Sequence, residues 1–219
     1  MVFERARRPE QKEQRREALL EAADRALAER GLADASLSAI ARGAGLSKAN
    51  VYRYFESREA IYLELLRRDF EAVAERFEGA AMGLARSGDL DAVARAIADA
   101  LTSRPRALEL LAQLGSVLER NVSPESIRAF KRAMKHLAAR QVFALHAALP
   151  GLAVDDAERA LRAIVVHAGG LHPLANPGPA VAEVLAEPEF ADEHVRLDEG
   201  IEAHARLVLR GLRAAAPSR

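Results

Sequence analysis

The sequence contains no cysteine and no tryptophan, and it has only three tyrosines and seven phenylalanines among 219 residues. Without cysteine, the chain can form neither a disulfide framework nor a thiolate metal site. It has no apolar run of about 18 residues that could span a membrane, and its charged N-terminus lacks the apolar stretch of a signal peptide. We therefore expect a cytoplasmic protein with no membrane partner.

The sequence also lacks the motifs that would indicate an enzyme. It has no glycine-rich phosphate loop, no His-Glu-x-x-His or Glu-x-x-His pair and no nucleophile elbow. His167 and His172 are five residues apart and His136 and His146 are ten apart, so neither pair places two imidazoles on adjacent turns of one helix. We expect no enzymatic activity, no cofactor and no metal site, although an enzyme on a helical scaffold remains an alternative.

Half of the residues are hydrophobic and 29% are charged, a balance that supports a folded core. Alanine and leucine dominate, and both favour helix over strand. Apolar residues recur at helical spacing between glycine, proline and serine breakers, which predicts an all-α protein. The pattern predicts a first helix near 10–30 and two short helices capped by Ser36 and Ser47. Further helices are predicted near 58–85, 89–102, 105–120, 124–148, 155–170, 179–187 and 190–213.

The segment from Ile40 to Ile61, "IARGAGLSKANVYRYFESREAI", has the features of a helix-turn-helix. Gly45 supplies a tight turn, and Ser47 caps a third helix whose apolar stripe is Leu46, Val51 and Phe55. The remaining face is rich in hydrogen-bonding side chains. A short helix that is anchored on one stripe and polar elsewhere is typical of a recognition helix in the major groove. A solvated helix of a bundle is the alternative.

The charge distribution is consistent with a polyanion partner at one end. Residues 1–58 carry 12 Lys and Arg against 9 Asp and Glu, whereas residues 59–219 carry 20 against 23. A basic N-terminal unit suits DNA, although ordinary solvated charge explains the same numbers. Arg42 is a candidate phosphate contact, and the basic residues Arg5, Arg7 and Arg8 form either a DNA-binding arm or a plain tail.

The stretch Ser36 to Leu66, "SLSAIARGAGLSKANVYRYFESREAIYLELL", resembles the DNA-binding domain of tetracycline-repressor-like (TetR family) regulators. The resemblance spans roughly residues 10–66, with Ala49 in place of a common glycine and Arg58 in place of the usual lysine. It implies a DNA-binding domain at residues 1–58 and a helical effector-binding and dimerisation domain at 59–219, joined by a long helix. The DNA contacts that it implies are Ser36, Ser47, Lys48, Asn50, Tyr52, Arg53, Tyr54 and Arg58.

The C-terminal domain offers candidates for an effector pocket between helices, mostly apolar with a few polar points. These candidates could equally be core residues. They are Leu111, Leu114, Gly115, Leu118, Phe130, Met134, Leu137 and Phe143, with His167 or His172 near the Gly169-Gly170 break as a hydrogen-bonding group.

The resemblance also implies a homodimer, formed by the last two long helices around a two-fold axis. The interface candidates are Ile164, His167, Ala168, Ile201, Ala205, Val208 and Leu212, and burial inside one chain is the alternative for each. We expect a transcriptional regulator, a repressor released from a roughly palindromic operator in double-stranded DNA by a small-molecule effector. An architectural DNA-binding protein without an effector is the alternative.

Overall fold

The computed structural model describes residues 9–215, so the predicted contacts Arg5, Arg7 and Arg8 lie outside the described residues. Within 9–215 the chain is helical and has no strand, which confirms the all-α prediction. The helices are α1 (Pro9–Asp34), α2 (Leu37–Gly43), α3 (Lys48–Val51), α4 (Arg58–Gly83), α5 (Leu90–Thr102), α6 (Pro105–Ala112), α7 (Pro124–Ala148), α8 (Val154–Ala175), α9 (Pro179–Leu185) and α10 (Leu197–Ala215), with a π-helical turn at Leu114–Leu118 and a 3₁₀ helix at Pro188–Glu193.

The chain divides into two compact units. The first contains the chain up to Leu66 together with Leu114–Phe130, and the second contains Arg67–Gln113 and the chain from Lys131 onwards. The first unit therefore includes a segment from the middle of the sequence, which the sequence pattern does not reveal. The predicted boundary at residue 58 stays a prediction.

In the first unit, α1 packs against α2 and α2 against α3. Gly43 allows the close approach of α1 and α2, because a Cβ at Gly43 would lie 3.2 Å from the Cβ of Ala22. Gly31 has a φ of 71° and interrupts α1, as the sequence predicts, because glycine adopts this left-handed region without a Cβ clash. Tyr62 is fully buried and donates its hydroxyl to the carbonyl of Ala23, 3.4 Å away.

In the second unit, α10 packs against α5 and α8, and α6 packs against α8. Gly169 lets α6 approach α8, because a Cβ there would lie 3.0 Å from the side chain of Leu111. A buried ion pair joins α4 to α6 inside this unit: Arg106 contacts both carboxylate oxygens of Asp69 at 2.6 and 2.7 Å. Asp69 is only 3% exposed, so Arg106 compensates a carboxylate that is buried away from water.

Three helices differ from the sequence-based prediction. The helix expected at 105–120 ends at Ala112, where a π-helical turn follows. The helix expected at 155–170 runs through Gly169-Gly170 and Pro173 to Ala175, because packing against α6 and α10 outweighs the breakers. The helix expected at 190–213 begins at Leu197, after the 3₁₀ helix Pro188–Glu193. None of the helices in residues 9–215 combines the length and apolarity needed to cross a bilayer.

Candidate DNA-binding surface

The turn between α2 and α3 is built from local hydrogen bonds. Ser36 caps α2 by accepting the N–H of Ala39 at 3.2 Å, and Ser47 caps α3 by accepting the N–H of Asn50 at 3.3 Å, which confirms both predicted caps. Gly45 has a φ of 67°, as a tight turn between two helices requires. The following Leu46 N–H returns to the carbonyl of Ala41 at 2.8 Å and closes the turn.

The recognition segment, residues 47–55, is shorter as an α-helix than predicted. Regular α-helix covers only Lys48–Val51. The backbone N–H groups of Tyr54 and Phe55 donate to the carbonyl of Val51, so a hydrogen-bonded turn follows the helix. Val51 is fully buried and Phe55 is 7% exposed. These two side chains anchor the segment against the first unit, so its remaining residues are held in a fixed orientation.

The outward side of this segment is polar and solvent-exposed. Lys48, Asn50 and Arg53 are exposed, Tyr52 is 54% exposed, and Tyr54 is half-buried. Among residues 9–215, the structure gives the side chains of Lys48 and Arg53 no acidic partner. These two cations can therefore bind phosphate groups without first breaking an internal ion pair.

The remaining predicted contacts outside the recognition segment are also accessible. Ser36 and Arg42 are exposed. The Ser36 hydroxyl accepts a backbone N–H and keeps its own proton for a phosphate oxygen. Arg42 lies in the last turn of α2 and, within the described part of the chain, its guanidinium has no ion-pair partner.

Arg58, a predicted DNA contact, has internal partners in this structure. Its guanidinium donates to the carbonyl of Leu32 at 3.1 Å and contacts the carboxylate of Glu59 at 3.0 Å, with longer bonds to the carbonyls of Ala33 and Ala35. Its side chain is only 21% exposed. Because these internal acceptors occupy its donors, the structure favours a role for Arg58 at the C-terminal end of α1, and its phosphate contact stays a prediction.

Two contacts that the sequence analysis missed hold the recognition segment in place. The guanidinium of Arg16 lies 5.1 Å from the centre of the Phe55 ring and contacts Glu64 at 3.2 Å. Glu56, directly after Phe55, accepts the backbone N–H of Ser123 at 2.8 Å and its hydroxyl at 3.1 Å. A hydrogen bond from the side chain of Ser126, together with these two from Ser123, holds the pKa of Glu56 below its usual value. The Ser123-Pro124 helix start is visible in sequence, but its distant partner is not.

The structure distributes the effector candidates between the two units. Leu114, Gly115, Leu118 and Phe130 belong to the first unit, and the other six belong to the second. Their environments differ, since Leu118 is fully buried whereas Phe143 is 67% exposed. A cavity of about 10 Å³ in the second unit, at the limit of room for one water molecule, includes none of the ten; it is lined by Val73, Phe77, Ile97, Ala100, Leu101, Gln141, Leu161, Ile164 and Val165.

The candidates for the dimer interface fall into two groups, buried and partly exposed. Ile164, Ala168, Ile201 and Ala205 are fully buried within a single chain, where α8 packs against α10. They have no surface left to bury in a dimer, so these four assignments are corrected to the core of one chain. His167, Val208 and Leu212 keep part of their surface.

A second apolar face of α8 and α10 remains open to solvent. Val166 is 70% exposed and Leu207 is 71% exposed, and Gly170 and Ala203 are exposed beside them. His167 on α8 and His204 on α10 stack with their ring centres 3.9 Å apart at 14°. Burial, and in second place the neighbouring His167, lower the pKa of His204. Within residues 9–215, no group of three or more His, Asp or Glu is placed to hold a metal ion.

Comparisons with known proteins agree with this architecture. Residues 19–65 match the model of bacterial regulatory proteins of the tetR family, and residues 67–216 match that of the tetracyclin repressor-like C-terminal domain. The chain therefore belongs to the TetR family of bacterial transcriptional regulators.

Individual relatives are more distant. The chain is 47% identical over 51 residues to the HTH-type transcriptional regulator EthR of Mycobacterium tuberculosis, a match that spans 23% of this chain and 24% of EthR. The fold resembles the TetR family regulator PfmR from Thermus thermophilus, with a TM-score of 0.56, 20% identity and coverage of 89% of this chain and 98% of PfmR. A regulator from Rhodococcus sp. RHA1 aligns with a TM-score of 0.61 at 16% identity, covering 91% of this chain and 98% of that one.

Proposed function

We propose that this chain is a homodimeric repressor that binds a roughly palindromic operator and is released by a small-molecule effector. The observation that carries the proposal is the geometry of residues 47–55. Val51 and Phe55 point into the first unit and fix the segment, while Lys48, Asn50 and Arg53 are exposed. A short, anchored segment with donors on its outer side fits the major groove of DNA.

The exposed residues divide into two roles by their chemistry. Asn50 can pair bidentately with adenine, and Arg53 with guanine, so these two read the sequence. Cations and hydroxyl groups hold phosphates and fix the register without reading bases. We assign this second role to Ser36, Arg42, Ser47, Lys48, Tyr52 and Tyr54.

The proposed dimer uses the open apolar face of α8 and α10, with Val166 and Leu207 as its largest side chains. An apolar face of this kind on a surface is typical of a protein–protein interface. A two-fold axis would place two recognition segments about 34–36 Å apart, the spacing of successive major grooves. His167, Val208 and Leu212, which keep part of their surface, contribute at the edge of this face.

We propose that the effector binds in the second unit, where α6 and α8 each carry a partly buried polar side chain. Glu109 on α6 is half-buried, and burial raises the pKa of its carboxyl group. His172 on α8 is half-buried too, and burial lowers the pKa of its imidazole. Both shifts favour the neutral form, which suits hydrogen bonding to a small molecule. Differential binding worth about 1–3 kcal/mol would change operator affinity by about 5- to 150-fold.

The test is selection of bound fragments from the genomic DNA of the source organism with the purified full-length chain, starting with the region beside its gene. The proposal predicts enrichment of a palindromic site with half-sites about one helical turn apart. The triple variant Lys48→Ala/Asn50→Ala/Arg53→Ala is the matched control and should enrich nothing. Recovery of the same fragments by this variant, or no enrichment by the wild type, would contradict the proposal.

A further inference from the structure

Two stretches of the second unit each carry charges of one sign only, positive in the first and negative in the second. Residues 131–154 contain no Asp or Glu, and residues 163–195 contain no Lys or Arg. Elsewhere the two signs are interspersed and form ion pairs, for example Arg210 with Asp91 and Arg162 with Glu158. Segregated charge of this kind points to a partner surface of the opposite sign.

The first stretch forms a basic stripe on α7, which we define as Lys131, Arg132, Lys135 and His136. All four side chains are exposed on one side of the helix. In the described part of the chain, Arg132 and Lys135 have no ion-pair or hydrogen-bond partner on their side chains. The same side of α7 continues to Phe143, whose ring is 67% exposed. The stripe therefore offers two uncompensated cations followed by an apolar end.

The second stretch forms an acidic arm, which we define as residues 177–195 between α8 and α10. Five exposed carboxylates lie on it, and the structure of residues 9–215 gives none of them an ion-pair partner; they are Glu183, Glu187, Glu189, Asp192 and Glu193. Its helix α9 buries none of its seven residues, and Val181 and Val184 are 53% and 44% exposed. An isolated helix of this length is unstable in water without tertiary support.

We propose that, in the homodimer proposed above, the acidic arm of one chain binds the basic stripe on α7 of its mate. Three observations favour a second copy over another occupant. The two surfaces are complementary in charge, each includes charged side chains that have no partner among the described residues, and each carries exposed apolar side chains that could cover the other. The arm also continues directly from α8, whose open face we assign to the same dimer.

The first test reverses charge on each side in the full-length chain. Variant A is Arg132→Glu/Lys135→Glu, and variant B is Glu183→Lys/Glu187→Lys/Glu189→Lys, which reverse the net charge of the stripe and of the arm. In each homodimer the reversed surface meets a surface of its own sign, so the dimer dissociation constant at low ionic strength should rise about tenfold. The matched control is Arg76→Glu/Arg104→Glu, which reverses two exposed cations with no partner in the described residues and should leave dimerisation unchanged.

The second test mixes A and B in equal amounts and measures the species by native mass spectrometry. In the mixed dimer, the acidic stripe of A meets the basic arm of B and the basic stripe of B meets the acidic arm of A. The heterodimer should therefore exceed the statistical half of all dimers, and this excess should disappear at high salt. Because the mixed dimer forms only from folded chains, this result is independent of any loss of folding.

Three results would overturn the inference. A heterodimer at the statistical fraction would show that the two surfaces do not meet across the dimer. Unchanged dimerisation of A and B, with weaker binding of A to an arbitrary DNA duplex, would assign the stripe to DNA phosphates instead. Unchanged dimerisation and unchanged DNA binding would leave the charges as solvated surface. A wild type that remains monomeric would contradict the proposed homodimer itself, which separates that failure from the others.

Discussion

The carboxylate of Glu56 accepts the backbone N–H of Ser123 at 2.8 Å, although the two residues are 67 positions apart in the chain. Glu56 follows the recognition segment directly, and Ser123 precedes the first residue of α7. The contact ties the end of the recognition segment to the start of α7. Ser123 caps α7 by accepting the N–H of Ser126 at 3.2 Å, and Glu56 holds this cap in place, so the contact stabilises both elements together.

The first prediction concerns this cap. Glu56→Ala should lower the free energy of unfolding by about 1 kcal/mol, the usual value of a helix cap, as measured by urea denaturation at neutral pH. Glu56→Gln keeps a hydrogen-bond acceptor, so its free energy of unfolding should fall less than that of Glu56→Ala. The pKa of Glu56 is below its ordinary value in the folded chain, so the charged form is favoured by folding. Its stabilisation is present at neutral pH and is lost as the pH falls through the folded pKa.

The matching pH experiment separates the carboxylate from the rest of the site. Between neutral pH and about pH 4, the wild type should lose more stability than Glu56→Gln, because the variant has no proton to gain at this position. Parallel pH profiles for the two chains would show that the hydrogen bonds of Glu56 do not contribute to folding.

The second prediction distinguishes the two roles considered for Arg58. In the structure its guanidinium binds Glu59, which is 6% exposed, and the carbonyl of Leu32. Arg58→Met should therefore lower the free energy of unfolding by about 3 kcal/mol, because it leaves a buried carboxylate unpaired. Chemical denaturation measures this loss. A variant that is as stable as the wild type but binds DNA more weakly would favour the phosphate-contact assignment.

The third prediction concerns the buried pair between α4 and α6. Asp69→Asn removes the charge that Arg106 contacts at 2.6 and 2.7 Å and should lower the free energy of unfolding by about 3 kcal/mol. Glu158→Gln is the control, since its pair with Arg162 lies on the surface with side chains 57% and 74% exposed. Glu158→Gln should lower the free energy of unfolding by less than about 0.5 kcal/mol. Equal losses in the two variants would contradict the role of burial.

The fourth prediction is the effect of acid on the stacked pair His167 and His204, whose ring centres are 3.9 Å apart. Burial and the neighbouring imidazole lower the pKa of His204, so the folded chain favours its neutral form. This contribution is present above the ordinary pKa of histidine, near 6.5, and is lost as the pH falls below it. His204→Phe keeps a stacked ring and removes the proton, so its melting temperature should fall less than that of the wild type between pH 7.5 and 5.5.

Local features of the fold could be predicted from the sequence, because they depend on neighbouring residues. Ser36 and Ser47 are recognisable caps, and Gly31 and Gly45 mark the positions where the backbone takes a positive φ. The inward stripe of the recognition segment follows from spacing alone, and Val51 and Phe55 are buried as expected.

Features that depend on tertiary packing could not be predicted in this way. The spacing of Ile164 and Ala168 indicates an apolar stripe, but α8 has two such stripes, and only the packing of α10 shows which one is internal. The continuation of α8 beyond Gly169 follows from its contact with Leu111 on another helix. The backbone carbonyls that Arg58 binds lie 23 to 26 residues away along the chain, so its sequence neighbours suggest a DNA contact instead.

The central claim is that the exposed side of residues 47–55 reads DNA. Its most direct test is fluorescence anisotropy of the selected operator and of an unrelated duplex, over a series of salt concentrations, with the wild type and the variants Lys48→Ala, Tyr54→Ala and Asn50→Ala. Lys48→Ala should weaken binding to both duplexes and reduce the salt slope by about 1. Tyr54→Ala should also weaken binding to both.

Asn50→Ala should weaken the free energy of binding to the operator by about 1–3 kcal/mol and change binding to the unrelated duplex little. The ratio of the two affinities should therefore fall. Operator affinities and salt slopes that match the wild type in all three variants would contradict the assignment of this surface to DNA.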